Sequence, residues 1–291
     1  PSPKIVAEAF AQVKPDIIIS VPLIIEKIYK TKLKPIADKT IVKMLLKAPI
    51  IDTMLKNKIL SALIESFGGR FYEIIIGGAA MNKEVETFLK KIGFPYTIGY
   101  GMTECGPIIG YEDWSKHKLG SCGKTVPRME VKIDSADPAK VVGEILVRGA
   151  NVMMGYYKNE EATKAAFTED GWLRTGDLGL KDKNGNIYIK GRSKNMILGA
   201  NGQNIYPEEI EDVLNSLEYV NESLVKEDNG KLVALVFLDQ DRLDSKHISS
   251  SSYSEILEQI KQQANSQLAN YEQLSAVFIH EEEFEKTPKR S

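Results

Sequence analysis

Three polar features lie close together between residues 171 and 212: an Asp in a Thr-Gly-Asp turn, an Arg that follows a Gly, and a Gly- and Asn-rich loop. The carboxylate of Asp177 can accept hydrogen bonds from both vicinal hydroxyls of a ribose, and Gly176 permits the tight turn that presents it. Arg192 offers a fork of donors for a ribose or a phosphate. Two plainer interpretations stay open: an Asx-type turn that caps a hairpin at Asp177, and a surface salt bridge at Arg192.

A second candidate loop spans residues 99–104, with the sequence Gly-Tyr-Gly-Met-Thr-Glu. Its glycines let the backbone approach a ligand closely. Tyr100 offers an aromatic face for a base, Thr103 a hydroxyl for a phosphate oxygen, and Glu104 a hard oxygen ligand for Mg²⁺. An ordinary Gly-rich loop is the plain alternative. The nucleotide interpretation is favoured because a Gly-Gly-Ala stretch, residues 77–79, ends a neighbouring predicted strand.

The elements that must position these residues alternate between strand and helix over the first part of the chain. Apolar runs predict strands at 17–19, 71–76 and 95–98, and helical patterns occupy 4–13, 34–66 and 83–91. The strand at 17–19 is expected to be covered on both faces. Such alternation predicts a parallel α/β sheet, whose ligands bind beyond the carboxyl ends of the strands. The stretches 77–80 and 99–106 follow two of these ends.

The pattern changes near residue 118, where turn signals become frequent and apolar runs become short. Asn184-Gly185 between alternating runs predicts a hairpin over 178–189, and residues 118–191 are predicted to form a small, mostly antiparallel β subdomain. Residues 192–291 are predicted to be α+β. The expected elements there are a helix with Pro207 in its first turn, strands near 219–226 and 231–238, a helix over 253–269, and a strand over 276–280.

Composition sets limits on the class of protein. With 291 residues, 43% hydrophobic and 27% charged, the chain is expected to form two or more globular domains. A net charge of -2 gives no reason to expect a nucleic acid as partner. Cys105 and Cys122 cannot form a disulfide framework and are expected to be reduced thiols of a cytosolic protein. The longest apolar run, residues 17–25, is too short to span a bilayer.

Three motifs together carry a family resemblance. Residues 99–104, 171–177 and 191–211 resemble, in order and approximate spacing, the motifs of the acyl-adenylate-forming superfamily. That superfamily includes acyl-CoA synthetases, luciferases and peptide-synthetase adenylation domains. The chain looks most like the long-chain fatty acyl-CoA synthetase branch, and the resemblance covers essentially all of it.

The resemblance implies a multidomain fold in three parts. They are the C-terminal part of an α/β AMP-binding subdomain (1–117), a small antiparallel β subdomain (118–191) and an α+β C-terminal lid domain (192–291). It also implies a role for each matching residue. The expected nucleotide contacts are adenine at Tyr100, Gly78, Ala79 and Ile189, ribose at Asp177 and Arg192, and phosphate at Thr103, with Gly101 in the same loop. Glu104 is expected to hold Mg²⁺, Lys194 to be the hinge of the lid, and Gly202 to lie beside the pantetheine tunnel.

The activity implied is that of an AMP-forming long-chain fatty acid:CoA ligase. A fatty carboxylate would react with ATP to give an acyl-adenylate, and the CoA thiol would then take the acyl group. The expected partners are therefore fatty acid, ATP with Mg²⁺, and CoA, in the cytoplasm, with peripheral membrane contact through the lipid substrate as a further expectation. Two alternatives remain: a carrier protein as the acyl acceptor, and a fragment that binds nucleotide without turnover.

Two parts of the family pattern are not matched. The Ser/Thr/Gly-rich loop that holds the β- and γ-phosphates lies upstream in this family, so the chain is expected to be the C-terminal portion of an enzyme. Counting from Thr287 places Ser291 where the C-terminal catalytic Lys is expected, while Lys286 and Lys289 are out of register. We expect this polypeptide to be weak or inactive in adenylation, and acyl-CoA formation at native rates would contradict that expectation.

Overall fold

The computed structural model of the protein describes residues 3–33, 49–199 and 201–285. Every helix in that part of the chain is too short or too polar to span a bilayer. The chain divides into two compact units, of which the first comprises Pro1–Val131, Val147–Leu173 and Lys181–Tyr188, and the second Lys132–Leu146, Arg174–Leu180 and Ile189–Ser291. The predicted boundaries at 118 and 192 stay predictions. The first part of the helix predicted over 34–66, residues 34–48, lies outside the described residues, as do Lys286, Thr287, Lys289 and Ser291.

The first unit is built around a parallel sheet of three strands in the order β1-β2-β3. These strands are β1 (Ile17–Ser20), β2 (Glu73–Ile76) and β3 (Tyr96–Ile98), and a second small sheet contains β4 (Tyr100–Gly101), β5 (Ile108–Tyr111) and β6 (Lys124–Thr125). The helices are α1 (Pro3–Val13), α2 (Pro22–Ile28), α3 (Pro49–Ser66), α4 (Lys83–Ile92) and α5 (Glu160–Ala166). The predicted parallel α/β sheet is confirmed.

Helix α4 shows how the sequence fixes the element that follows β2. Asn82 is its N-cap, and the side-chain oxygen of Asn82 accepts hydrogen bonds from the backbone N–H groups of Glu84 and Val85. Gly93 ends the helix in the left-handed conformation at φ 72°, which costs glycine little. Both ends of α4 are therefore defined by local chemistry, and its buried face includes Val85 and Leu89.

One prediction about β1 is wrong. Ile18 is 6% exposed, but Ile17 is 55% and Ile19 is 81% exposed. Because successive side chains of a strand point to opposite faces, the described residues cover only the face that holds Ile18. A continuous apolar run is compatible with burial on one face or on both, so the run itself could not decide between them.

The middle of the chain contributes a four-stranded sheet in the order β10-β9-β8-β7. Its strands are β7 (Met129–Asp134), β8 (Gly143–Gly149), β9 (Leu173–Lys181) and β10 (Ile187–Arg192). The predicted hairpin about Asn184-Gly185 is confirmed, since β9 and β10 are neighbours in the sheet and Gly185 has a φ of 87°. The Asp182 carboxylate accepts hydrogen bonds from the backbone N–H groups of Asn184 and Asn186, which closes the turn.

The second unit ends in the mixed α+β arrangement that was predicted. Its elements after β10 are β11 (Ile197–Leu198), β12 (Asn204–Ile205), α6 (Pro207–Ser216), β13 (Val220–Asp228), β14 (Lys231–Leu238), α7 (Gln240–Ser245), α8 (Tyr253–Asn265) and β15 (Ala276–Ile279). Strand β14 pairs antiparallel with β13 and parallel with β15. The core of the unit includes Ile210 and Leu214 from α6 and Ile256 and Ile260 from α8.

Glu211 on α6 makes the stability of this unit depend on pH. Burial raises the pKa of its carboxyl group to about 7, although one oxygen accepts a hydrogen bond from the Val225 N–H. A raised carboxyl pKa means that the folded state holds a proton that the unfolded state has released. The stabilisation is therefore complete below the unfolded pKa of 4.5 and is lost as pH rises through about 7.

We expect the free energy of unfolding to fall between pH 5 and pH 7, with a slope of at most about 1.4 kcal/mol per pH unit. Urea unfolding at several pH values, followed by circular dichroism, measures the slope. Glu211→Gln is expected to flatten it, whereas Glu227→Gln, at an exposed position, is a matched control that leaves it unchanged. The same slope in wild type and Glu211→Gln would contradict the assignment.

Candidate functional site

In the first unit, Gly78 and Ala79 lie at the carboxyl edge of the parallel sheet. Strands β2 and β3 are in register with Ile76 opposite Ile98, so the segments that follow them start side by side. The Gly99 N–H donates to Ile76 O at 2.8 Å. Gly78 has a φ of 91°, and both Gly78 and Ala79 are exposed. This edge therefore presents open backbone at the position predicted for an adenine pocket.

Tyr100 and Gly101 form strand β4, which pairs antiparallel with β5. Tyr100 is only 5% exposed, so most of its ring packs against protein. Gly101 is exposed, but the space in which a Cβ would project is occupied, because that atom would overlap Pro107 O and lie 2.9 Å from Pro107 C. Glycine at this position thus lets two backbone segments approach each other beneath the loop that carries Thr103 and Glu104.

We expect Gly101→Ala to destabilise the first unit by about 1–3 kcal/mol, the usual effect of overpacking, and to weaken AMP binding because the loop shifts. Urea unfolding and calorimetry with AMP measure the two effects. Gly230→Ala, in the turn between β13 and β14, is a control with backbone strain at φ 75° but with no atom close to the added Cβ. A Gly101→Ala protein with wild-type stability and AMP affinity would show that the close approach is unimportant.

Thr103 and Glu104 lie in a short 3-10 helix, Thr103–Cys105. The Thr103 side chain is exposed, and Glu104 is partly exposed. The neighbouring Cys105 is fully buried, and burial together with the Glu104 charge raises the pKa of its thiol to about 11. The hydroxyl and the carboxylate are thus accessible to a ligand, whereas the thiol is enclosed.

A segment that sequence reasoning missed, residues 151–156, contacts this loop. The Tyr156 hydroxyl donates to Glu104 Oε1 at 3.0 Å, and the Met153 N–H donates to Glu104 O at 2.7 Å. Asn151 donates to Cys105 O and to Ile108 O at 2.5 and 2.9 Å. The pKa of Tyr156 is raised by burial and by the Glu104 carboxylate, which keeps the phenol protonated as a donor. The signal in the sequence was a Gly followed by two Tyr, residues 155–157.

The side chains around Glu104 fit a divalent cation that arrives with a substrate. Among the described residues, no group of three or more His, Cys, Asp or Glu side chains could hold a metal ion by itself. Mg²⁺ is usually bound by one or two carboxylates together with substrate phosphates. Glu104 supplies one accessible carboxylate, of which one oxygen accepts a hydrogen bond from Tyr156. This carboxylate is the kind of ligand that such an ion needs from the protein.

In the second unit, Asp177 and Arg192 contact each other directly. Arg192 Nε lies 3.0 Å from Asp177 Oδ1, and the Arg192 Nη1–H donates to Thr175 O at 3.3 Å. Asp177 is 7% exposed, whereas Arg192 is exposed. Gly176, which precedes Asp177 in strand β9, has a φ of 70°. The salt-bridge alternative for Arg192 is therefore real, but it joins the two residues that were predicted to share a ribose.

Two further residues hold the part of strand β9 that carries Asp177. Thr175 is 4% exposed, and its hydroxyl donates to Ile145 O at 2.8 Å and accepts from the Asp177 N–H at 3.1 Å. Glu144 accepts from the Gly176 N–H and from the Arg174 guanidinium at 3.3 and 2.7 Å. Because each group is tied to a neighbouring strand, the position of the Asp177 carboxylate is fixed before any ligand binds.

The segment after Arg192 is held by Glu208 in the first turn of α6. Glu208 Oε1 accepts from the Arg192 N–H at 3.4 Å and from Asn195 Nδ2 at 2.7 Å. Lys194, the predicted hinge residue, is exposed between these two contacts. The role of Glu208 was not predicted from the sequence, because its partners Arg192 and Asn195 come close to α6 only through the fold of the segment after β10.

Ile189 and Gly202 are the remaining predicted site residues in the second unit. Ile189 lies in β10 and is 37% exposed. Gly202 lies in the short loop between the paired strands β11 and β12, at a φ of 77° and with no atom close to an added Cβ. The loop therefore has open space around it, and the roles predicted for both residues stay predictions.

Comparison with known proteins identifies related chains. Residues 1–157 match the family model described as AMP-binding enzyme. A long-chain-fatty-acid–CoA ligase of Mycobacterium bovis is 32% identical over 256 residues, which is 79% of this chain and 41% of the relative. The peroxisomal long chain acyl-CoA synthetase 6 of Arabidopsis thaliana is 39% identical over 209 residues, or 68% of this chain and 29% of the relative.

A third relative has a different named substrate. The 2-succinylbenzoate–CoA ligase of Bacillus pumilus is 39% identical over 181 residues, which is 60% of this chain and 36% of the relative. Among solved structures, the O-succinylbenzoate coenzyme A synthetase of Bacillus subtilis in complex with AMP has a TM-score of 0.73 and 26% identity, and it is matched over all of this chain and 52% of that one. The chain thus spans less than half the length of these curated relatives.

Proposed function

Because this chain belongs to the AMP-binding enzyme family, we propose that its protein is an AMP-forming ligase that joins a long-chain fatty acid to coenzyme A. The paired Asp177 and Arg192 carry the proposal, since their fixed carboxylate and exposed guanidinium suit the ribose of a nucleotide. The named substrates of the Mycobacterium and Arabidopsis relatives support the fatty-acid class.

In the first half-reaction, a carboxylate oxygen of the fatty acid attacks the α-phosphorus of ATP. The bond from that phosphorus to the bridging oxygen breaks, and pyrophosphate leaves with the electron pair. Asp177 and Arg192 orient the ribose, and the Thr103 hydroxyl donates to a phosphate oxygen. Glu104 would hold Mg²⁺, which would supply charge stabilisation to the phosphates.

In the second half-reaction, the CoA sulfur attacks the acyl carbonyl carbon. The bond between that carbon and the AMP oxygen breaks, AMP leaves with the electron pair, and the thiol proton passes to solvent. Lys194 is the proposed hinge for the lid movement that separates the two steps, and Gly202 the proposed neighbour of the pantetheine arm. Domain closure about a few hinge residues is a common conformational step in enzymes.

A second candidate is a CoA ligase for a smaller carboxylic acid. The 2-succinylbenzoate–CoA ligase relative favours it, because its identity of 39% equals that of the Arabidopsis long-chain relative. Both candidates use the same nucleotide chemistry and differ only in the acid. A choice between them therefore requires a comparison of acyl groups.

The test supplies each acyl group as a preformed adenylate, so that the ATP-dependent step is bypassed. The chain is incubated with CoA and either palmitoyl-adenylate or 2-succinylbenzoyl-adenylate, and thioester and AMP are quantified by chromatography. Faster thioester formation from palmitoyl-adenylate supports the long-chain proposal, and faster formation from the other adenylate supports the second candidate. No acceleration over buffer, together with no AMP binding in calorimetry, would contradict both.

A further inference from the structure

We propose that Tyr156 is a positioning residue that holds the Glu104 carboxylate in the orientation from which it binds a substrate-borne divalent cation. The inference rests on the proposed function, since it concerns the cation that accompanies ATP. It adds to that function a residue outside the three motifs. Tyr156 lies more than fifty positions along the chain from Glu104, and its hydroxyl reaches that carboxylate directly.

The hydrogen bond from Tyr156 makes the two carboxylate oxygens of Glu104 different, because it engages only one of them. Glu104 Oε1 accepts from the Tyr156 hydroxyl at 3.0 Å. Within residues 3–33, 49–199 and 201–285, no other side chain or backbone N–H donates to this carboxylate. Glu104 Oε2 is therefore left for a ligand, and rotation of the carboxylate is restrained because turning it would break the bond to Tyr156.

Tyr156 is itself held by its surroundings. Its backbone N–H donates to the Thr163 hydroxyl at 2.8 Å, and that hydroxyl donates to Asn159 O at 2.8 Å. Asn159 is the N-cap of α5 and accepts from the Ala162 N–H. Gly155 has a φ of 153°, and a Cβ there would lie 2.7 Å from the Thr163 methyl group. The contacts with the start of α5 therefore fix the position of the Tyr156 backbone, from which its side chain extends.

The same segment also fixes the backbone of Glu104. Met153 donates its N–H to Glu104 O at 2.7 Å, and Asn151 donates to Cys105 O. Main chain and side chain of Glu104 are thus oriented from one strip of sequence, residues 151–156. A tyrosine with no positioning role would not need to be held by its neighbours. The adjacent Tyr157 is an example, since its side chain is 88% exposed and its ring contacts Lys158.

Groups that orient a metal ligand contribute to affinity although they do not touch the metal. Loss of such a group usually lowers metal affinity by about 10–100-fold. Because Tyr156 is 40% exposed and water can partly replace its hydroxyl, we expect an effect near the lower end, about tenfold. The effect should appear only in binding that involves the cation.

The experiment compares ATP binding with Mg²⁺ and with EDTA by calorimetry in wild type, Tyr156→Phe, Tyr157→Phe and Glu104→Gln. We expect Mg²⁺ to tighten ATP binding in wild type and in Tyr157→Phe. In Tyr156→Phe this tightening should be about tenfold smaller, and in Glu104→Gln it should be lost. AMP affinity in EDTA should be the same in wild type and Tyr156→Phe.

Three results would overturn the inference. If Tyr156→Phe retains the full Mg²⁺ effect while Glu104→Gln loses it, Tyr156 has no positioning role and the proposed function stands. If AMP affinity in EDTA falls as much as the Mg²⁺ effect, Tyr156 has only a general structural role. If wild type binds neither AMP nor ATP, the proposed function is wrong, and the inference, which rests on it, is wrong as well.

Discussion

Asp177→Ala is expected to weaken AMP binding about a hundredfold, because a carboxylate that accepts from two ribose hydroxyls contributes about 3 kcal/mol. Asp177 is already held by the hydrogen bond from its N–H to the Thr175 hydroxyl and by Arg192, so little binding energy is spent on ordering its carboxylate. Calorimetric titration with AMP measures the change. The loss should be similar for adenosine, which shares the ribose but lacks the phosphate.

Two further variants make the result specific to the ribose. Asp228→Ala removes a carboxylate from the exposed end of β13 and should bind AMP as wild type does. Asp177→Asn keeps a hydrogen-bond acceptor without the charge, and should bind AMP with an affinity between those of wild type and Asp177→Ala. Equal AMP affinity in wild type and Asp177→Ala would remove the observation on which the proposed function mainly rests.

Glu86→Ala is expected to lower the stability of the first unit by about 1–3 kcal/mol, the usual cost of leaving a buried hydrogen-bonding group unpaired. Glu86 is 2% exposed and lies on α4. Its Oε1 atom is 3.1 Å from His117 Nε2 and accepts from the Gly120 N–H at 2.9 Å. His117 is 3% exposed, so removal of the carboxylate leaves its buried Nε2 atom without a partner on α4.

Urea unfolding with tryptophan fluorescence measures this loss, since Trp114 and Trp172 both lie in the first unit. Glu86→Gln retains an acceptor for His117 and Gly120 and should lose less stability than Glu86→Ala. Lys91→Ala changes an exposed residue of the same helix and should have almost no effect. A loss below about 1 kcal/mol in Glu86→Ala, the range of an exposed pair, would show that the network is not stabilising.

Local sequence signals predicted much of the fold. Asn184-Gly185 identified the turn between β9 and β10, because glycine tolerates the φ of 87° that this turn requires. Pro207 identified the first turn of α6, since the signals that start a helix are properties of neighbouring residues. The family resemblance that the motifs suggested was confirmed by the match over residues 1–157.

Long-range relations could not be predicted in the same way. The exposure of Ile19 depends on what covers the sheet, and a run of apolar letters carries no such information. Tyr156 and Glu104 are far apart in sequence, and their contact is produced by the path of the chain between them. Helix α5 was also missed, because its seven residues contain no apolar stripe long enough to reveal a period.

The enclosure of Cys105 makes the loop beside it observable in solution. A thiol with no exposed surface reacts with an alkylating reagent only when the protein opens locally around it. In the variant Cys122→Ser, Cys105 is the single thiol of the chain. Its rate of alkylation then reports how often residues 103–108 open. Nucleotides and cations that bind at Thr103 and Glu104 would lower this alkylation rate. Occupancy of the loop by a ligand could therefore be followed without turnover or a chromophoric ligand.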